Sequence, residues 1–387
     1  MNKPWEIVLV RSKYSPHGGA ETFTRDLIQS LLAVTRTEIV LLTLPNQNWP
    51  LHHPRLKIIP VGALQGHRLW IAWSFNHAVR RYLRLHPAEI VMSVDQVQEY
   101  THLHAGGGSH ATFLEIKNRQ NNLLQRLFRK LSLFHIFILH MEKKGVANPN
   151  MKKIICCSAM IAEEFHRLYH IPDDKVHVCY NAIDFERIGS FFARKAELAD
   201  QLCQKFAIDP NRCWLLFLGS GFERKGLDIA LHGLRFMPDN YNLLVVGKGN
   251  TRKYKRLAQK LRISQRVRFM GPQPEGWHFA SICKGLVHPS RYEPFGLAVA
   301  ESQAMGIPVL VSTKTGYAEI VQPGQTGVIM DIQSSTNAMH RSFAHFQSII
   351  EASPLSSAQI RNSVRFLDKD HMMRKLINDC LEIPIIA

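Results

Sequence analysis

Two carboxylates, Glu293 and Glu301, stand eight residues apart in RYEPFGLAVAESQAMGIPV, residues 291–309. An ionised carboxylate accepts hydrogen bonds from hydroxyl groups in pairs. Gly296, between the two acids, is placed to open a helix at Leu297. The free amides of a helix start bind phosphate. A carboxylate on each side of a phosphate site suits a molecule with hydroxyls at both ends and phosphates between. A sugar nucleotide is such a molecule. Each glutamate taken alone reads equally well as a solvated surface residue.

Glycines follow other strand-like runs in the same way. SPHGGAETF carries Gly18 and Gly19, and LGSGFERKGLD carries Gly219 and Gly221 followed by Arg224 and Lys225. Gly247 closes NLLVVG. Glycine at a strand end lets a phosphate approach the backbone, although tight-turn geometry alone also selects it. An Arg-Lys pair beside one such loop favours a diphosphate. Neither the phosphate loop of ATPases nor GxGxxG after the first strand is present, which disfavours a nicotinamide cofactor.

The elements that must position these residues are short apolar runs with helical segments between them. The runs are EIVLV (6–10), EIVLLTL (38–44), LKIIPV (56–61), EIVMSV (89–94), KKIICCS (152–158) and VHVCYN (176–181). WLLFLG (214–219), NLLVVG (242–247), VRFMG (267–271), GLVHPS (285–290) and PVLVS (308–312) follow. Such runs suit buried parallel strands, and AETFTRDLIQSLLAV and YKRLAQKLRI carry helical periodicity. The alternation predicts an α/β chain of two doubly wound halves. Residues 1–187 form the first domain and 188–368 the second. Residues 369–387 form a C-terminal helix packing back on the first domain. Ligands of such sheets sit beyond the carboxyl ends of the strands, so two facing halves would share a cleft.

Composition narrows the class. The 387 residues carry 48 Lys and Arg against 31 Asp and Glu, a formal charge of +17, which attracts nucleic acid, a membrane surface or a phosphorylated substrate. Seven scattered cysteines without a CxxC pair read as reduced structural thiols, neither a zinc site nor a disulfide framework. No run reaches the length of a bilayer span, and the first residues lack a secretory cleavage site.

The E-x7-E spacing around EPFGL resembles the signature of retaining glycosyltransferases of family 4. GGAE (18–21), YNAIDFERI (180–188), GSGFERKGLDIAL (219–231), VVGKGNTRKYKRLA (245–258) and GYAEIV (316–321) match in the expected order. Within that family the C-terminal half is most similar to the lipopolysaccharide core glucosyltransferases that add the first outer-core glucose. The resemblance implies the GT-B architecture of two facing Rossmann-like domains, with no metal and no resident cofactor. A UDP-sugar, UDP-glucose, is the implied co-substrate and a glycolipid the acceptor. Glu293 would hold hydroxyls of the donor sugar and Glu301 those of the ribose. Arg224 and Lys225 would clamp the diphosphate. Gly18, Gly19, Gly219, Gly247, Gly296 and Leu297 would supply backbone contacts. Related members resemble A-[AG]-D where this chain reads HAGGGSH, so the resemblance implies an aspartate near the position of Gly107. His104 and Asp95 are then the candidates nearest the transferred sugar, with His110 beside them. The lone D-x-D, Asp368 to Asp370, reads as a solvated helix start.

Residues 117–144, KNRQNNLLQRLFRKLSLFHIFILHMEKK, place Leu124, Leu127, Phe128, Leu131 and Phe134 at helical spacing. Arg126, Arg129 and Lys130 fall largely elsewhere. The pattern suits an interfacial helix on anionic lipid, or equally a core helix with a solvated basic side. The first reading implies a cytoplasmic protein, peripheral on the inner face of the cytoplasmic membrane. No zinc-finger or RNA-binding motif supports nucleic acid as a partner. A UDP-sugar epimerase, another hexosyl or N-acetylhexosaminyl transferase, and a binding protein with an inactive sugar site are the competing readings.

Overall fold

The computed structural model describes residues 5–15, 19–62, 64, 66–119 and 131–386. The chain divides into two compact units. One comprises Met1–Asn181 with Asp370–Ala387, and the other Ala182–Lys369.

The first unit holds a parallel sheet in the order β3-β2-β1-β4-β5-β6-β7. Its strands are β1 (Glu6–Val10), β2 (Glu38–Thr43), β3 (Leu56–Pro60), β4 (Ile90–Ser93), β5 (His102–Ala105), β6 (Lys153–Cys156) and β7 (Val176–Val178). Ile7 to Val10 are almost fully buried because helices cover both faces of a parallel sheet. The second unit holds β8 (Cys213–Leu218), β9 (Tyr241–Val246), β10 (Val267–Gly271), β11 (Gly285–His288), β12 (Val309–Ser312) and β13 (Gly327–Met330). Their order is β10-β9-β8-β11-β12-β13, again parallel. In each sheet the order reverses once, between β1 and β4 and between β8 and β11. A crevice opens at such a switch point, beyond the carboxyl ends of the strands.

All eleven expected strands form. β5 and β13 were not expected: HLHA carries two histidines and does not read as apolar, and GVIM is only four residues long. The boundary expected at residue 187 moves to 181/182. The Ile183 amide donates to the Leu367 carbonyl and the Lys369 amide to that of Ile183, which ties 183 into the second unit. Residues 185–212 lead from that boundary to β8. They form the helices Phe185–Phe192 and Lys195–Phe206, and the first is pinned by Arg361, whose guanidinium donates to the Phe185 and Ala304 carbonyls. The C-terminal segment lies in the first unit, where the Ile386 amide donates to Val34 O and Lys153 pairs with Glu382. Asp368 precedes the helix Lys369–Lys375, and Lys369 pairs with Asp184 at 2.9 Å.

The stretch 117–144 is not one helix. The helix His110–Arg119 reaches the edge of the described residues, and a new helix, Leu133–Val146, starts after Ser132. Residues 120–130, including Leu124, Arg126, Leu127, Phe128, Arg129 and Lys130, lie outside the described residues, as does Gly18. Among the described residues no helix is long and apolar enough to cross a membrane.

Candidate active site

Glu293 lies just beyond β11, and the loop after β8 brings two cations to it. Lys225 Nζ donates to Glu293 Oε2 at 2.6 Å, and Arg224 Nη1 donates to the same oxygen at 3.0 Å and to the Tyr292 carbonyl at 2.8 Å. His288 Nε2, at the end of β11, stands 3.6 Å from that oxygen. The Glu293 side chain is 14% exposed and that of Lys225 10%, so the contact is largely shielded from water. Burial alone would raise the Glu293 carboxyl, but Lys225, His288 and Arg224 together hold it well below the usual carboxylate range. Burial, reinforced by Lys225, pushes the fully buried His288 down to about 4, so its ring is neutral.

Backbone geometry makes this convergence possible. Gly219, at φ 132, is the residue against which Lys225 lies; a Cβ there would stand 2.6 Å from Lys225 Cε. Gly226, at φ 73, opens the helix Leu227–Phe236 and leaves no room for a Cβ, which would meet the Pro289 carbonyl at 2.0 Å. The two loops are also stitched together. The Arg291 amide donates to Arg224 O at 2.8 Å, and the Arg291 guanidinium grips Asp228 with bonds of 2.8 and 2.6 Å. The Glu293 amide donates to Lys314 O and the Gly316 amide to Glu293 O, which fixes the other side of the 293 loop.

Gly296, at φ 114, caps the eight-residue helix Leu297–Ala304. A left-handed residue here suits glycine, and it turns the chain so that the helix starts beside Glu293. Glu301 sits on this helix, half-buried. Burial pushes its carboxyl up to about 7, Lys225 opposes and Glu275 adds to the rise. Gly247, at φ 138, follows β9 and packs against Gly219, whose carbonyl a Cβ would meet at 2.3 Å. Glu293, Arg224, Lys225, Gly219, Gly247, Gly296, Leu297 and Glu301 are therefore all in the second unit. His288 and the Arg291–Asp228 clasp were not singled out from the sequence, although HPSR carries the first.

The first unit holds its own cavity of about 500 Å³. Ser12 and Lys13 reach it from beyond β1, Asp95 and Gln96 from beyond β4, and Gly107 to His110 from beyond β5. Asp95 is engaged rather than open: Arg11 Nη1 donates to Oδ1 and the Ser12 amide to Oδ2, both at 2.5 Å. Arg11 also pairs with Glu21, in the helix Gly19–Val34 that Gly19 opens, at 2.9 Å. His104 does not reach this cavity. It lies on β5, 4% exposed and stacked on Phe23 at 3.5 Å, and burial pushes it down to about 3. Its packing is that of a core histidine. His110 does line the cavity, with Nε2 3.1 Å from His135 Nδ1, and burial, His135 and Arg68 push it down to about 4.

Residues 17–187 match the family described as Glycosyltransferase Family 4, and residues 200–362 match Glycosyl transferases group 1. The lipopolysaccharide glucosyltransferase WaaG of Escherichia coli is 24% identical over 92% of this chain and 92% of its own. A crystal structure of WaaG superposes with a TM-score of 0.77 at 20% identity, covering 96% of this chain and 99% of that one. Anabaena HepE, solved in complex with UDP-glucose, superposes at 0.68 and 15% identity over 98% of this chain and all of its own, 100%. The chain belongs to the glycosyltransferases of GT-B fold, a family 4 region followed by a group 1 region.

Proposed function

We propose that this glycosyltransferase is a retaining hexosyltransferase that moves glucose from UDP-glucose to a glycolipid of the lipopolysaccharide-core kind. One observation carries the reading: Arg224, Lys225 and His288 converge on Glu293 at the switch point of the second sheet. A diphosphate needs cations there, and a sugar needs a carboxylate there. The names of the relatives support the acceptor class, and the UDP-glucose complex of HepE supports the donor.

In this reading Glu293 accepts hydroxyls of the donor sugar and Glu301 those of the ribose. Gly219, Gly247, Gly296 and Leu297 let the backbone approach the phosphates. The bond from sugar C1 to the leaving phosphate oxygen breaks, and its electron pair leaves with UDP. Arg224 and Lys225 take up the charge that develops. The acceptor hydroxyl bonds to C1 on the same face, and its proton passes to the leaving phosphate. No metal ion is required. The acceptor occupies the first-unit cavity, whose own carboxylate, Asp95, is oriented by Arg11. The protein works at the inner face of the cytoplasmic membrane, held peripherally through residues 117–144.

A donor screen tests this. UDP-, GDP- and ADP-sugars are incubated with extracted core acceptor, nucleotide release is followed, and the anomeric configuration of the product is read by NMR. UDP-glucose turnover that requires acceptor and gives the α-product is expected. An inverted product, or turnover of donor without acceptor, overturns the retaining transferase. Loss of activity in EDTA, restored by manganese, overturns the metal-free mechanism.

A further inference from the structure

His288 belongs to the cluster around Glu293 but has no task in the reaction above. It ends β11 with no solvent exposure, and its ring lies against that of Phe217, centroids 6.4 Å apart. Neither ring nitrogen has a hydrogen-bond partner among the described residues. A buried polar group left unpaired costs free energy, and one kept beside a reacting site calls for a reason. Nε2 stands 3.6 Å from Glu293 Oε2, about 0.7 Å beyond an ordinary N–H···O bond.

Three groups converge on one oxygen. Lys225 Nζ at 2.6 Å and Arg224 Nη1 at 3.0 Å both donate to Oε2, the oxygen nearest His288, and among the described residues no hydrogen bond ends on Oε1. Without a donor substrate, the cations of the phosphate site are therefore held by the carboxylate of the sugar site. A diphosphate carries more charge than one carboxylate and draws both cations toward itself. Glu293 would then be shielded from water, ionised and short of donors, a costly state. The donor still within reach is His288. Its ring is neutral, and a neutral imidazole has a single N–H. With that proton on Nε2, a closing movement of about 0.7 Å completes the bond to Oε2.

We propose that His288 is a positioning residue of the transfer reaction. When the donor diphosphate draws Arg224 and Lys225 off Glu293, the Nε2–H of His288 takes over Oε2 and keeps Oε1 directed at the hydroxyls of the sugar. The proposal rests on the transferase reading, since it needs a diphosphate and a sugar in this site. It gives the carboxylate two partners in turn, cations in the empty site and a neutral N–H in the loaded one. It also accounts for a buried imidazole that has no partner in the empty site.

The test uses the full chain, with His288→Leu to remove the N–H and His288→Gln to keep a donor near the place of Nε2. Without ligand, His288→Leu should melt no lower than the native protein, because the nitrogens it removes have no partner there. In calorimetry the same variant should bind UDP at least threefold and UDP-glucose at least tenfold more weakly. His288→Gln should recover most of both losses. In Glu293→Ala protein, His288→Leu should change either affinity less than twofold, because the ring acts through the carboxylate. Native protein labelled with nitrogen-15 histidine gives an independent signature. Saturation with UDP should bring the His288 Nε2 proton, assigned by its loss in His288→Gln, to a slowly exchanging downfield position. A His288→Leu protein that melts well below native without ligand, or binds UDP-glucose as native does, overturns the role. So does a loss that persists in Glu293→Ala, or a His288 resonance that UDP does not move. Native protein that binds UDP but not UDP-glucose strikes the glucose donor alone, and the UDP titrations and the nitrogen-15 spectrum still decide His288.

Discussion

Lys225 and Glu293 are 68 positions apart in the chain, yet Nζ of one donates to Oε2 of the other at 2.6 Å inside a shielded pocket. The pair ties two functions to one contact. Lys225 helps to hold the Glu293 carboxyl ionised, and in the proposed reaction it would also face the leaving phosphate.

Lys225→Ala should therefore damage both rate and fold. Removing a cation that stabilises a leaving phosphate costs about 100- to 1000-fold in kcat. Glu293 would remain buried with Arg224 as its nearest cation, a loss of stability on the order of 2 kcal/mol. Steady-state kinetics and denaturant melts of the same variant read the two effects. Unchanged turnover in a folded variant removes Lys225 from the mechanism.

The pH dependence of stability should come from Glu301 near neutrality. Its carboxyl is pushed up to about 7 in the folded protein, from an ordinary value of 4.5. The folded state then holds the proton more tightly than the unfolded chain, so stability falls as pH rises from about 4.5 to 7 and stays low above it. Glu301→Gln mimics the protonated form. It should melt higher than the native protein above pH 7, with the difference vanishing below about pH 4.5. The same variant should bind UDP more weakly, because an ionised carboxylate accepts the two ribose hydroxyls better than an amide. Thermal melts across pH, with and without UDP, check both signs. Glu293 acts oppositely: held well below its ordinary range, it stabilises the fold above about pH 4.5, and that contribution is lost on acidification.

Much of this site is legible in the sequence, and the remainder has a physical reason for being hidden. Glu293, Gly296 and Glu301 share one strand-loop-helix stretch, so spacing alone places them together. Arg224 and Lys225 can be tied to them because both loops follow strands of one sheet. His288 was missed because a histidine inside GLVHPS looks like strand filler until β11 ends beside Glu293. The burial of His104 was not legible because β5 was not expected as a strand; it runs inside the sheet and Phe23 covers the ring. Glu142 and Glu164 lie on helices distant in sequence from Ser109, and only the fold reveals what they cap.

Glu142 should matter for the acceptor and not for the donor. It accepts the His110 and Ala111 amides and the Tyr169 hydroxyl, with no solvent exposure. Glu142→Gln turns one acceptor into a donor that faces N–H groups, at a cost of about 1–3 kcal/mol. The glycine loop 106–108 is then no longer held beside the cavity. The acceptor KM should rise several-fold while UDP affinity in calorimetry stays the same. Equal losses for both ligands would point to general unfolding.

Gly226→Ala should abolish the site through the backbone. The new Cβ would lie 2.0 Å from the Pro289 carbonyl, at a φ of 73 that L-residues rarely adopt. Neither loop can yield easily, because the Arg291 amide and the Arg291–Asp228 clasp join them. Strain of about 1–3 kcal/mol from the dihedral alone adds to the clash. A variant that is folded by circular dichroism but silent to UDP is expected; native UDP affinity would contradict the coupling of the loops.

Membrane attachment should have an apolar part and an ionic part that respond differently to salt. Leu131, Leu133 and Ile136 are 66%, 69% and 49% exposed, at the start of the helix Leu133–Val146. Trp70 and Trp73, at 54% and 46%, are exposed on Arg68–Leu85, which packs against that helix. Phe134 lines the cavity, while Leu124, Leu127 and Phe128 of the expected stripe lie outside the described residues. Such side chains insert into a bilayer interface, and this contribution is insensitive to salt. Each nearby basic residue adds on the order of 1 kcal/mol on anionic lipid and is screened by salt. Leu133→Asp with Ile136→Asp should therefore weaken co-sedimentation with anionic vesicles at both low and high salt. Arg126, Arg129 and Lys130 changed to Ser should weaken it at low salt alone. Native protein that stays in the supernatant with anionic vesicles at low salt refutes the attachment, and the exposed leucines and tryptophans then need another partner.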